Sequence, residues 1–308
     1  MIPIDKWRAM AQAFDVAGNQ VAYWDSADRE SGGDEEAPIL LLIHGYPTSS
    51  WDWSAIWPSL TPIFRVVALD MLGFGLSDKP RGFAYSIFHQ ADLQEALLEH
   101  LGIGDAHVLC HDYGDTVGQE LLARANEGAL SFALKSMCFL NGGLFPEQHR
   151  ARPLQKLGLS PLGPILGMAM SERRLRTALD EVFGPQTKAS DEEIAAHWAM
   201  IREQNGHRIL HKLLHYIPER RDNRERWVGA LSAARAPLRL IDGGADPVSG
   251  AHLFHYFKEM IDGADAVLLE DIGHYPQTEA PQAVLDAFFD FHNAMAPTAS
   301  TAAKDQSS

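Results

Sequence analysis

The sequence predicts an α/β protein, a mostly parallel central sheet flanked by helices, with a helical cap inserted over one end. Three observations predict it. Six short apolar runs have the continuous hydrophobicity of strands buried on both faces. Helical patterns separate most of them, which implies βαβ crossovers. The alternation breaks once, between Gly143 and Ala236, where proline-punctuated helical pieces replace strands.

Taken in order, "FDVAGNQVAYWD" reads as a strand pair turning at Gly18-Asn19, followed by an acidic, glycine-bearing loop, "SADRESGGDEEA". The buried runs are then "PILLLIHG", "FRVVALD", "AHVLCH", "KSMCFLNGG", "APLRLIDGG" and "DAVLLEDIGH". Between them "FHQADLQEALLEHLG" and "TVGQELLARANEG" carry helical periodicity. The expected organisation is a core of residues 1–143 and 237–293, a cap of residues 144–236 and a small, polar, disordered tail of residues 294–308.

The 41 acidic against 26 basic side chains give a formal net charge of -15, a field that repels a phosphate backbone. Nucleic acid is therefore not an expected partner. Hydrophobic residues at 46% and charged ones at 22% suit a globular chain with a sizeable core. Cys110 and Cys138 both lie in apolar runs and read as core residues of a reducing compartment. No uninterrupted apolar window reaches the length of a membrane span, and "MIPIDKWRAMAQAF" lacks the apolar stretch of a secretory signal. A cytoplasmic enzyme is the expectation, with no cofactor or metal motif. The glycines of "DMLGFGLSD" leave a dinucleotide loop incomplete.

Chemistry collects at the strand ends, where open parallel sheets place their sites. In "HVLCHDYGDTVGQELLA" a strand meets a tight turn at Asp112 and then a helix, whose N-terminus favours a negative charge. Asp246 follows the fifth run and His274 the sixth, giving the chain order nucleophile, acid, histidine. Capping is the bland use of Asp112, and a turn residue or a loop histidine that of the other two. Serine at the elbow would suit acyl transfer. A carboxylate attacking a saturated carbon instead forms an ordinary ester, which water can cleave at the Asp112 carbonyl. His274 then serves as base for that water, with Asp246 fixing its tautomer. Asp242 is a competitor placed too far back on its strand, and Asn141 carries no charge. Asp115 is expected to cap the following helix, and His44 to organise its loop.

The motifs "HGYP", "DMLGFGLSDKP", "HDYGD", "GGADPV" and "GHYPQ" resemble the epoxide hydrolase and haloalkane dehalogenase branch of the α/β-hydrolase fold. "HGYPTSSWDW", "NGGLFPEQHR" and "RRDNRERWVGAL" are similar to the mesoderm-specific transcript proteins, a family of epoxide hydrolase-like hydrolases. The resemblance implies a backbone oxyanion hole at Tyr46 and Tyr113. It implies an apolar small-molecule substrate, and phenols from the cap that protonate the leaving alkoxide. The cap holds one tyrosine, Tyr216, so His149, His197 and His215 are the substitutes for a second donor. Dehalogenases of this branch use a Trp beside the nucleophile and often an Asn after "HG"; here Tyr113 and Tyr46 stand there, leaving Trp51, Trp53 and Trp198 as indole donors. Epoxide hydrolysis is the preferred reading, dehalogenation the alternative, and a non-catalytic binding shell the third. "LGLSPLGPILGMAM" reads as cap core or pocket lip ahead of a dimer or membrane patch, and "RRDNRERWVG" as a solvated face with Trp227 tucked inward.

Overall fold

The computed structural model describes residues 1–27 and 37–295. Most of the acidic loop, and residues 296–308 of the expected tail, lie outside the described residues. The last helix, Pro281–Met295, runs two residues into the segment expected as tail.

Eight strands form one sheet: β1 Gln12–Val16, β2 Asn19–Asp25, β3 Ile39–Ile43, β4 Arg65–Leu69, β5 Asp105–His111, β6 Ala133–Leu140, β7 Leu238–Gly243 and β8 Asp265–Leu269. Their order is β1-β2-β4-β3-β5-β6-β7-β8. The expected hairpin is β1-β2; it is antiparallel, as is β2 against β4, while every other neighbour is parallel. All six apolar runs are strands of this sheet.

Their continuous hydrophobicity follows from coverage on both sides. Leu41 and Ile43 of β3 pack into one core layer with Val108, Cys110 and Val117. Leu40 and Leu42 point into the other, with Val284, Leu285 and Phe288. Successive side chains of a strand face opposite ways, so both parities must be apolar when both faces are buried. Cys110 and Cys138 are free and buried.

The helices between β6 and β7 include Pro153–Gly158, Gly163–Met168, Glu172–Asp180, Asp191–Arg202, Tyr216–Asp222 and Arg224–Ser232. Helix Arg224–Ser232 packs on helix Tyr113–Glu127, which joins this insertion to the sheet. Trp227 is tucked inward as expected, but Arg220, at the head of the same charged run, is buried rather than solvated.

Candidate active site

β5 ends at His111, and helix Tyr113–Glu127 begins two residues later, leaving Asp112 alone on the turn. Asp112 sits at φ 50 and ψ -106, a backbone conformation that costs a non-glycine residue on the order of 1–3 kcal/mol. The turn is this tight because the helix starts directly against β3. A Cβ on Gly114 would lie 2.3 Å from the Ile43 carbonyl oxygen, so only glycine fits there.

Asp112 makes no side-chain cap to its helix. Its Oδ2 instead accepts the backbone N–H of Tyr46 at 2.9 Å. Across the turn, His274 places Nε2 3.7 Å from Asp112 Oδ1 and Nδ1 2.7 Å from Asp246 Oδ2. The three residues separated in sequence are thus brought together, all nearly fully buried.

Asp246 is saturated with donors. Val248 and Ser249 give backbone N–H bonds, and the Ser249 hydroxyl and Asn141 Nδ2 add two more, at 2.8 and 3.2 Å. Burial alone would raise this carboxyl; the His274 charge and these hydrogen bonds overcome it and hold Asp246 below the usual carboxylate range. Asn141 also exchanges two bonds with the Gly243 backbone, so it orients Asp246 rather than replacing it. Burial likewise opposes charge on His274, but Asp246 and then Asp112 raise its pKa to about 9.

Asp115 departs from expectation. It does not cap: it is fully buried, neither carboxylate oxygen has a hydrogen bond of good geometry, and burial plus the Asp112 charge push its pKa well up. Its carboxylate packs so closely on Gly142 that a Cβ there would lie 2.1 Å from Oδ2. Asp242 is buried in the same unpartnered way and does not bond His274. His44 does organise its loop, with Nε2 accepting the Met71 N–H at 3.0 Å.

Two residues were not singled out from the sequence. His111 Nε2 donates to the His274 carbonyl at 2.7 Å and so fixes the histidine's backbone. Arg220 donates to the Asp112 carbonyl at 3.2 Å, to Thr116 Oγ1 at 2.6 Å and to His149 Nδ1 at 3.4 Å, and its guanidinium lies 4.4 Å from the Tyr216 ring centre. All three acceptors are neutral, so the buried cation is left to balance nearby carboxylates through space. The only signal in the sequence is the four-residue spacing of Tyr216 and Arg220, which shares one helix face.

A cavity of about 650 Å³ opens onto Asp112 and His274, with Tyr46, Tyr275, Val248, Leu175, Leu214 and Met170 among its lining. Tyr216 packs behind this wall, its ring 6.3 Å from that of Tyr46 and 4.9 Å from that of Tyr113, with a buried hydroxyl lacking a hydrogen-bond partner. Burial and then the Asp112 charge raise its pKa, so it stays a phenol and a donor. Of the substitutes, His149 contacts Arg220, His197 lies beside Asp52 at 3.8 Å, and His215 is exposed. Trp51, Trp53 and Trp198 are not among the cavity-lining residues, and Trp51 Nε1 is committed to the Ile2 carbonyl.

A sheet of this order, with a strained elbow and a histidine after the last strand, has its counterpart in a family model described as alpha/beta hydrolase fold, which matches residues 38–277. The chain belongs to the α/β-hydrolase family. It is 43% identical over 300 residues to the mesoderm-specific transcript homolog protein of Bos taurus, covering 94% of this chain and 88% of that protein. It is 40% identical to a putative hydrolase, LipZ, of Mycobacterium tuberculosis, over 83% of this chain and 88% of that one. Among solved structures, the haloalkane dehalogenase DbeA from Bradyrhizobium elkani superposes with a TM-score of 0.76 at 23% identity, covering 92% of this chain and 98% of that one. At that identity the likeness is one of fold. Among the described residues no helix is long and apolar enough to cross a membrane.

Proposed function

We propose that this α/β hydrolase opens apolar epoxides through an ester on Asp112 and releases a vicinal diol. The observation that carries the reading is a carboxylate, not a hydroxyl, on the elbow, facing a largely apolar cavity with His274 beside it. An Asp112 oxygen attacks an epoxide carbon; the C–O bond of the ring breaks, and the oxygen leaves as an alkoxide that takes a proton from a phenol. Tyr46 is a phenol on the cavity wall, and Tyr216, the candidate donor from the cap, packs behind it with its ring 6.3 Å from that of Tyr46. The Asp112 negative charge disappears when the ester forms. His274 then loses one of the three anions, Asp246, Asp112 and Glu279, that raise its pKa, so the step itself prepares the base. Neutral His274 takes a proton from water as that water attacks the Asp112 carbonyl, with Asp246 stabilising the imidazolium; the acyl C–O bond then breaks, the expelled diol oxygen takes the imidazolium's proton, and the acid left on Asp112 returns its proton to the phenolate. The amides of Tyr46 and Tyr113 meet the oxyanion, each worth about 2.7–4 kcal/mol by analogy with measured donors.

Dehalogenation by the same carboxylate is the second reading, favoured by the likeness of fold to a dehalogenase. Against it, none of the three tryptophan donors is among the cavity-lining residues.

One trapping experiment tests the proposal. His274→Ala, incubated with apolar epoxides and with haloalkanes, should stall at the ester, and intact-protein mass spectrometry should show addition of the whole epoxide on the peptide holding Asp112. An adduct of substrate less hydrogen halide would replace the reading with dehalogenation. No adduct in either series, with the variant folded, would point to another substrate class or a binding protein.

A further inference from the structure

Among the described residues, five of the eight exposed large apolar side chains, Leu154, Leu157, Leu162, Ile165 and Met168, fall on one stretch of the cap. The two short helices there, Pro153–Gly158 and Gly163–Met168, bury their glycines and turn these side chains outward. Ile165 and Met168 are 58% and 61% exposed, well beyond a pocket lip. The sequence favoured cap core or pocket lip for this stretch; Leu157, Leu166 and Met170 do line the cavity, whereas Leu162, Ile165 and Met168 face outward.

The surroundings carry the opposite charge to the rest of the chain. From Gln148 to Arg176 there are six basic residues, Arg150, Arg152, Lys156, Arg173, Arg174 and Arg176, against one acidic, Glu172, while the whole chain stands at -15. Arg152 pairs with Glu181, and Arg176 with Asp191. Among the described residues, Arg150, Lys156, Arg173 and Arg174 make no ion pair with a carboxylate. Arg174 lies on the Ala169 carbonyl at 2.6 Å, just past the second helix, and the backbone of exposed Arg208 packs against Gly167. The apolar patch is therefore flanked by cations without a carboxylate partner, Lys156 on its first helix and Arg174 just past its second. Leu154 and Leu157 also line the mouth of the cavity above Asp112, so patch and site are continuous.

We propose that this face docks on the surface of an anionic lipid bilayer, lying in the interface plane with Leu162, Ile165 and Met168 immersed and the arginines among the headgroups. Apolar side chains beside Lys and Arg are the composition of interfacial anchors, and each cation near an anionic surface adds attraction. A second copy of this chain is disfavoured as occupant, because a two-fold interface would set these cations against their own copies. The strongly acidic remainder is repelled by the same membrane, which leaves the cap as the face that approaches. Docking there presents the cavity mouth to apolar compounds dissolved in the bilayer. The inference does not depend on which reaction Asp112 performs.

Co-sedimentation of the full chain with vesicles provides the test. Vesicles of phosphatidylcholine with phosphatidylglycerol should bind it, phosphatidylcholine alone at least about tenfold less, and binding should weaken as salt rises. Ile165→Ser with Met168→Ser, and separately Lys156→Glu with Arg173→Glu, should each weaken binding about tenfold or more. These positions are exposed and outside the cavity wall, and circular dichroism checks that each variant is folded; if the apolar pair misfolds, the charge pair still decides. Equal binding to both vesicle types, or binding unchanged in the folded variants, overturns the proposal. So does a dimer in sedimentation velocity that the apolar variants abolish, because the patch would then cover a second copy.

Discussion

At Asp112 the backbone conformation and the side-chain role can be separated. The φ of 50 penalises any residue with a Cβ, so Asp112→Gly should be more stable than Asp112→Ala by about 1 kcal/mol in denaturant unfolding. Equal stability would mean the elbow is unstrained; under the proposed mechanism both variants lose turnover and covalent capture. His274 carries its own pH signature. Its pKa is raised in the folded protein, so its contribution to stability is fully present below its unfolded value near 6.5 and is lost as pH rises through about 9. Asp112→Asn removes one of the anions responsible, so NMR titration should find the His274 pKa lower in that variant than in the wild type. An unchanged value would mean that Asp112 does not act on the histidine. Arg220 is the third residue of consequence. Replacing it by Met leaves the carboxylates around the elbow without their buried cation, and should slow formation of the Asp112 ester far more than its hydrolysis in single-turnover kinetics. Arg220→Lys should restore only part of the rate, since the fork to Thr116 and the Asp112 carbonyl is lost. Equal slowing of both steps would reduce Arg220 to a packing role.

The elements matter through where they start. Helix Tyr113–Glu127 begins against the carbonyls of Ile43 and His44, which are backbone and cannot yield to an added methyl. Gly114→Ala should therefore cost about 2–3 kcal/mol in chemical denaturation, at the upper end for overpacking, and displace the elbow from the Tyr46 amide. An isostructural, equally stable variant would mean that the strand and helix can part freely. Further along the same helix, Asp115 shows what an element's position does to a side chain. The first turn of an exposed helix is a favourable place for a carboxylate, but here that turn is under the sheet end, and burial reverses the preference.

Across the whole molecule, a buried carboxylate gathers several of the bonds between insertion and core. Glu120, on the helix that follows Asp112, accepts from Arg124 at 2.9 Å, from Arg226 at 2.7 Å and from the Trp227 indole at 2.9 Å. Burial raises its pKa, but these donors outweigh burial and hold it below the usual range. Its contribution is thus present above the unfolded value and lost as pH falls through the lower folded one. Glu120→Ala leaves Arg124 on Asp92 and Glu95 and Arg226 on Glu127 but strands the buried Trp227 indole N–H, and should destabilise the protein by about 1–3 kcal/mol, read as a lower denaturation midpoint. A change below about 0.5 kcal/mol would mean that the apolar contacts alone hold the insertion in place.

The sequence by itself determined the α/β architecture, the six parallel strands and the helical insertion, because periodicity and turn residues are local properties of adjacent positions. It also determined that a carboxylate stands on the elbow and that Asp246 and His274 end the right strands. Tertiary structure alone decided which groups surround them. Arg220 meets Asp112 across 108 positions, and Asn141 meets Asp246 across 105. No local pattern encodes such contacts. Tyr275 reaches the cavity wall from the histidine's own loop, while Tyr216, the phenol expected there, lies behind the wall. The cap stretch makes the same point: hydrophobicity is a property of the side chain, but inward or outward depends on what else is packed against it, and there Gly158, Gly163 and Gly167 occupy the buried side.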